Sequence, residues 1–222
     1  MKKSIFVLIS LLTFLCFFSA CAAPFSLVPF VSELRSDIFV GSSENFNVKA
    51  SYGFKETPFS NDAKVGIKID QMTFRLLNSE TDVSEHLLCL TFNGASYKSA
   101  FKFDPVSHTM LATINVEGFN LKEFDVEIRT ASTVEKVKMK SIVPEGTIDY
   151  KTALDFLAKN QPELINNYRT DGNDFSGEIY VRIVVKNDKS YWYVGLASGN
   201  DNLKALLIDG KSGEVLAIRE IF

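Results

Sequence analysis

Cysteine is almost missing from this chain of 222 residues, with Cys16, Cys21 and Cys89 the whole supply. Cys16 and Cys21 sit in or just after an apolar N-terminal run, which leaves Cys89 alone in the body. A lone cysteine excludes an internal disulfide, so stability must come from a packed core. Cys89 lies in the apolar run 86–92, the setting of a buried strand and not of a reactive thiol. Histidine is nearly as scarce, with His86 and His108 only. Structural zinc sites take about four ligands and catalytic ones about three, and His86 and Cys89, three apart on a strand, point to opposite faces. No metal and no cofactor is expected. No Gly-x-Ser-x-Gly elbow occurs, and a carboxylate pair drawn from 27 acidic residues carries no weight. No catalytic residue stands out, and the chain does not read as an enzyme. Basic clusters are lacking as well: 24 basic residues are scattered among 27 acidic ones, for a net charge of -3. Nothing there argues for nucleic acid.

What is present begins with the leader. Lys2 and Lys3 give a positive start, residues 5–18 are apolar except for Ser10 and Thr13, and Ser19 and Ala20 are small. A basic start, an apolar run of about 7–15 residues and a small-residue exit make a secretory signal. The run falls short of comfortably spanning a hydrocarbon core about 30 Å thick, and no later stretch reaches that length. The residues Phe18-Ser19-Ala20-Cys21 resemble the lipobox of bacterial lipoproteins, although that family usually carries Leu where Phe18 stands. The resemblance implies removal of residues 1–20 and diacylation of Cys21. It also implies an extracytoplasmic chain held to a membrane through that lipid. Cleavage near Ala23 as an ordinary secretory peptide would instead discard Cys21.

Residues 21–36 read as a tether. They hold Pro24 and Pro29, but also Phe25, Leu27, Val28, Phe30 and Val31, which implies packing against the domain that follows. Residues 37–143 alternate with period two: Phe46, Val48, Ala50 and Tyr52; Val65, Ile67 and Ile69; Phe74 and Leu76; Phe124, Val126 and Ile128. That period places one set of side chains on one face of a strand. Turn formers separate the runs, among them Asn61-Asp62, Asn78, Asn93-Gly94, Asp104-Pro105 and Glu117-Gly118. Seven or eight short strands with no helix between them predict an antiparallel β-sandwich, with an immunoglobulin-like arrangement leading. Residues 123–129 and 133–139 predict a hairpin.

The pattern changes at Pro144-Glu145-Gly146. Thr147 or Asp149 is placed to cap a helix over 149–158, whose Ala153, Leu154, Leu157 and Ala158 share a stripe. Pro162 begins a second short turn. Strand signals then resume at Ile179, Val181, Ile183 and Val185, turn at Asn187-Asp188-Lys189, and continue through Trp192, Val194 and Leu196. A third strand over 205–208 turns at 209–214 into a fourth. The fold class is therefore mainly β with an α+β C-terminal part, in which a small helix accompanies a three- to four-stranded antiparallel sheet.

A helix, an antiparallel hairpin carrying Tyr191-Trp192-Tyr193-Val194, and a strand ending in Leu206-Leu207-Ile208-Asp209-Gly210-Lys211-Ser212-Gly213-Glu214-Val215-Leu216 together resemble the PepSY domain. The likeness covers residues 147–222. The Pro162 break and the long connection over 166–177 depart from its simple single-helix form. The resemblance implies a non-catalytic module of exported or membrane-anchored proteins, some of which are proposed to restrain peptidases. Asp209, Gly210 and Gly213 read as turn chemistry.

Since Val194 and Leu196 share the Trp192 face, Trp192 is expected inward. Tyr191 and Tyr193 are then expected on the open face, with Tyr180 or Arg182 across the hairpin. Tyrosines with an arginine match the composition of interface hot spots; amphipathic tyrosines also suit a half-wet sheet, or one covered by the preceding domain. The expected function is that of a cell-envelope lipoprotein acting as a binding module for a protein or cell-wall partner. The alternative is a structural or accessory envelope protein without a dedicated ligand.

Overall fold

The computed structural model describes residues 25–58, 66–77, 85–170, 174–198 and 203–221. The segment read as a leader, Cys21, Val65 and the turn residues Asn61, Asp62 and Asn78 lie outside the described residues. After a 3-10 turn at Val28–Phe30 come β1 (Val31–Ser42), β2 (Asn47–Thr57), β3 (Ile67–Leu76), β4 (Leu87–Phe92), β5 (Ala95–Ala100), β6 (Lys102–Asp104), β7 (Thr109–Asn115), β8 (Glu123–Arg129) and β9 (Val134–Ser141). Helices α1 (Tyr150–Asn160) and α2 (Pro162–Asn166) follow, then β10 (Gly177–Lys186), β11 (Lys189–Ser198), β12 (Leu203–Asp209) and β13 (Val215–Ile221).

The chain is mainly β, and its strands form one large, mostly antiparallel sheet with a small helical layer. Besides the run through β10 to β13, two runs of strands leave β1. One passes through β2, β3 and β7 to β6, and the other through β9, β8 and β4 to β5. β5 and β6 are consecutive in the chain, separated by Phe101, whose N–H donates to the His86 carbonyl at 2.8 Å. The two runs thus meet, and the N-terminal sheet is barrel-like. The β-strands expected over 37–143 are present, and they lie in this barrel-like sheet. The ladders draw one connected path because β1 pairs on both sides and the 95–104 segment changes partner at Phe101. The predicted hairpin of 123–129 with 133–139 is present as β8 paired with β9.

Phenylalanine fills the barrel. Phe39, Phe74, Phe92, Phe119 and Phe124 are buried with Met72, Leu88, Ile128 and Met139. The Phe119 ring lies 4.8 Å from both the Phe92 and Phe124 rings, and Phe39 meets Phe124 edge-on at 5.0 Å. Rings at such spacing add to the large apolar area each one buries.

The second core forms beside it. α1 lays Ala153, Leu154 and Leu157 against Ile179, Val181, Trp192, Val194, Leu196 and Leu206 of the four-stranded meander β10-β11-β12-β13. Asp149 caps the helix, its carboxylate accepting the Thr152 N–H at 2.7 Å. Thr147, the other candidate cap, instead bonds the Pro144 carbonyl at 2.7 Å and the Ser190 hydroxyl at 2.8 Å. Asn187 and Asp188 both take positive φ, which suits a two-residue hairpin loop.

The segment read as a tether is structural from Leu27 onward. Leu27, Val31 and Leu34 are buried in the second core, not against the barrel. The reason is a parallel pairing of β1 with β10, with Val31, Leu34 and Arg35 registered on Ile179, Val181 and Arg182. β1 therefore serves both cores. An extra residue, Ser36, interrupts its pairing with β2, so Leu34 opposite Phe54 and Phe39 opposite Ala50 face the same way despite their opposite parity.

Candidate functional site

Alternation along β10 and β11 separates two faces. Ile179, Val181, Ile183, Trp192, Val194 and Leu196 point into the core beneath α1, all buried. The indole N–H of Trp192 donates to the Ile148 carbonyl at 3.0 Å, so its one polar group is satisfied inside. Tyr180, Arg182, Tyr191 and Tyr193 point the other way and are half-buried. Of the two residues considered for the position across the hairpin from Tyr193, the structure puts Arg182 there; Tyr180 lies opposite Gly195, and Tyr191 opposite Val184. Gly195 lets this face close up: a methyl group placed there would touch Leu203, Tyr180 and Tyr193 at 3.3–3.5 Å. The two rings therefore pack over bare backbone, with Leu203 beside them.

Three carboxylates lie around Tyr180, and none of them was singled out from the sequence. Glu178 is wholly buried and accepts the Ser32 hydroxyl at 2.6 Å. Glu33, also buried, takes Arg35 Nε at 2.7 Å and Arg182 Nη2 at 3.2 Å on the same oxygen. Glu56 accepts the Gly66 N–H at 2.8 Å through Oε2, while its buried Oε1 has no hydrogen-bond partner among the described residues. Burial above all, and then the charges of Glu178, Glu56 and Glu33, raise the Tyr180 phenol above its ordinary pKa, and Arg182 opposes them. Tyr180 thus presents a firmly protonated hydroxyl. The arrangement offers ring faces, hydroxyls and a guanidinium to an approaching surface. The sequence held a signal for one of them: Glu178 opens the largely apolar run of β10, where an unpaired charge is costly, whereas Glu33 lies among Ser32, Arg35, Ser36 and Asp37 and does not stand out.

The remaining sequence candidates are dispersed. Cys21 lies outside the described residues. Cys89 is buried in β4. His86 is buried with its ring edge-on to Phe46 at 5.6 Å, and His108 sits at positive φ in the β6–β7 turn near Phe103. Among the described residues no three His, Cys, Asp or Glu side chains gather in a metal-holding group, and no helix is long and apolar enough to cross a membrane. Asp209 acts as a turn residue, its Oδ1 accepting the Lys211 and Ser212 N–H groups at 2.9 and 2.8 Å. No protein-family model matches the chain, and no curated protein matches it.

Proposed function

We propose that the protein is a lipid-anchored component of a cell envelope whose C-terminal unit, a PepSY-like module, binds a protein partner through its open sheet face. The observation that carries this reading is the gathering of Tyr180, Arg182, Tyr191 and Tyr193 on one face, with the helix on the other. Tyrosine and arginine supply large contact area with polar tips, the composition of interface anchors. The order α1, hairpin, β12, β13 supports the PepSY likeness, and restraint of a peptidase is the activity that likeness implies. The immunoglobulin-like arrangement has no part in the proposal, which needs only a rigid barrel-like body to hold this face away from the membrane.

The anchor is tested by mass spectrometry of the native protein, with a diacylated Cys21 at the N-terminus expected; an unmodified Cys21 would remove the assigned compartment. The face is tested by a photo-crosslinking residue at position 193 in intact cells, compared with one at position 151 on the exposed side of α1. A discrete adduct from 193 alone is expected, weakened by Tyr191→Ala. Equal adducts from both positions, or none from either, would end the proposal.

A further inference from the structure

A second feature lies beside this face, where β1 leaves β10 and takes β9 as its neighbour. The fork opens a cleft of about 190 Å³, walled by Ile38, Ile183 and Val184. Its polar lining comes from four strands: Arg35, Lys49 and Ser51, Thr73 and Arg75, and Arg182. We propose that this cleft is a binding site for a phosphate group.

The charge arrangement carries the argument. Lys49 stands directly opposite Arg75 in the β2–β3 ladder, and Arg35 stands opposite Arg182 in the β1–β10 ladder. Like charges directly opposed across strands are destabilising. This fold sets two such pairs around one hollow, in a chain whose formal charge is -3. Breaches of a local folding rule are expected at functional or strained sites.

The remedy within the fold is partial. A single oxygen of Glu33 serves both Arg35 and Arg182. Lys49 and Arg75 make no ion pair among the described residues, although Asp104 is near enough to Arg75 to feel its charge. Arg182 Nε is buried and has no hydrogen-bond acceptor among the described residues. A buried donor without a partner is rare in folded proteins, and it leaves Arg182 anchored by Glu33 alone among the described residues.

Phosphate fits better than carboxylate on geometry and size. Guanidinium forks match the oxygens of phosphate, and lysine adds a point charge. Cations converging from four strands surround a tetrahedral ion of up to two charges, whereas a planar carboxylate is satisfied by one fork. The hydroxyls of Ser51 and Thr73, opposite each other in the same ladder, add donors between the charged pairs. The volume lies below the roughly 300–1,000 Å³ of pockets for drug-sized ligands, so the cleft holds one oxyanion and its first substituent. Only Arg182 is shared with the aromatic face, so the site stands or falls independently of the partner proposed above.

The test is calorimetric titration of the full chain with inorganic phosphate and, separately, with glycerol 3-phosphate at low ionic strength. Saturable binding is expected, weakening as salt screens the charges. Lys49→Gln and Arg75→Gln should each weaken it by about tenfold or more. Arg182→Lys, which keeps the charge and loses the guanidinium fork, should weaken it as well, and Lys151→Gln on α1 should not. Circular dichroism checks that each variant is folded. Tighter binding of glycerol 3-phosphate would assign the site to phosphate carried on a larger molecule, and the reverse order to the free anion; either supports the proposal. Failure of both probes to saturate, or affinities untouched by Lys49→Gln and Arg75→Gln, would overturn it.

Discussion

Tyr52 shows how a single polar group is used to fasten the barrel. Its hydroxyl donates to Asp70 Oδ2 at 3.0 Å and accepts the Phe119 N–H at 3.1 Å, joining β2 to β3 and to the loop that carries Phe119 into the core. Burial first, and then the hydrogen bond to Asp70, push its pKa up to about 12 from 10.0. The folded state therefore holds this proton more tightly than the unfolded chain does. The resulting stability is fully present below pH 10 and is lost as pH rises through about 12. Tyr52→Phe should cost about 1–3 kcal/mol at neutral pH, because it leaves the Phe119 N–H without its acceptor and Asp70 Oδ2 with the Gly118 N–H alone. It should also flatten the alkaline fall in stability. Urea midpoints measured from pH 8 to 12 for both proteins check this. Tyr150, Tyr168 and Tyr180 are raised too, with burial the first cause in each, so the difference between the two proteins is the quantity to read. Parallel curves would refute the assignment.

At the scale of the element, local chemistry fixes ends and turns. Asp149→Ala removes the cap of α1 and should cost about 1 kcal/mol. Its carboxyl is held below the usual 3.8 chiefly by the Thr152 N–H, so the contribution is present above that pH and disappears as pH falls below it. Thermal midpoints of wild type and variant should therefore converge in acid. Gly213 has φ +74°, and a methyl group there would collide with the Phe156 ring of α1. Gly213→Ala should cost more than about 1 kcal/mol, visible as a lowered melting temperature. Elements of this kind were legible in the sequence. The Asn187-Asp188 hairpin, the Trp192 side of β11 and the stripe of α1 are all written within a few adjacent residues. The start of β1 was not, because its partner β10 is remote: Ser32 and Glu178, in contact, are 146 positions apart. Parallel pairing at that distance leaves no turn residue to announce it. Tyr191 and Tyr193 were readable by alternation, whereas the cleft over Arg35, Lys49 and Arg75 depends on three ladders whose registers no local pattern sets.

For the whole molecule the consequence lies in β1, which supplies Phe39 to the barrel core and Val31 and Leu34 to the second core. Two cores that share a twelve-residue strand cannot lose it separately. Opening the barrel would strip β1 from β10, which keeps only β11 beside it, and expose Leu34 and Ile179 together, at roughly 25 cal/mol for each Å² of apolar surface. Unfolding is therefore expected to be a single cooperative transition, although the two halves carry distinct hydrophobic clusters. The chain has one tryptophan, and Trp192 sits in the second core, so its fluorescence follows that half alone, while far-ultraviolet circular dichroism follows all strands. The two urea midpoints should coincide. Phe39→Ala, a cavity in the barrel, should cost about 3–5 kcal/mol and should lower the Trp192 midpoint as much as the circular dichroism midpoint. If Trp192 kept its wild-type midpoint in that variant, the halves would be independent folding units and β1 merely a covalent link between them.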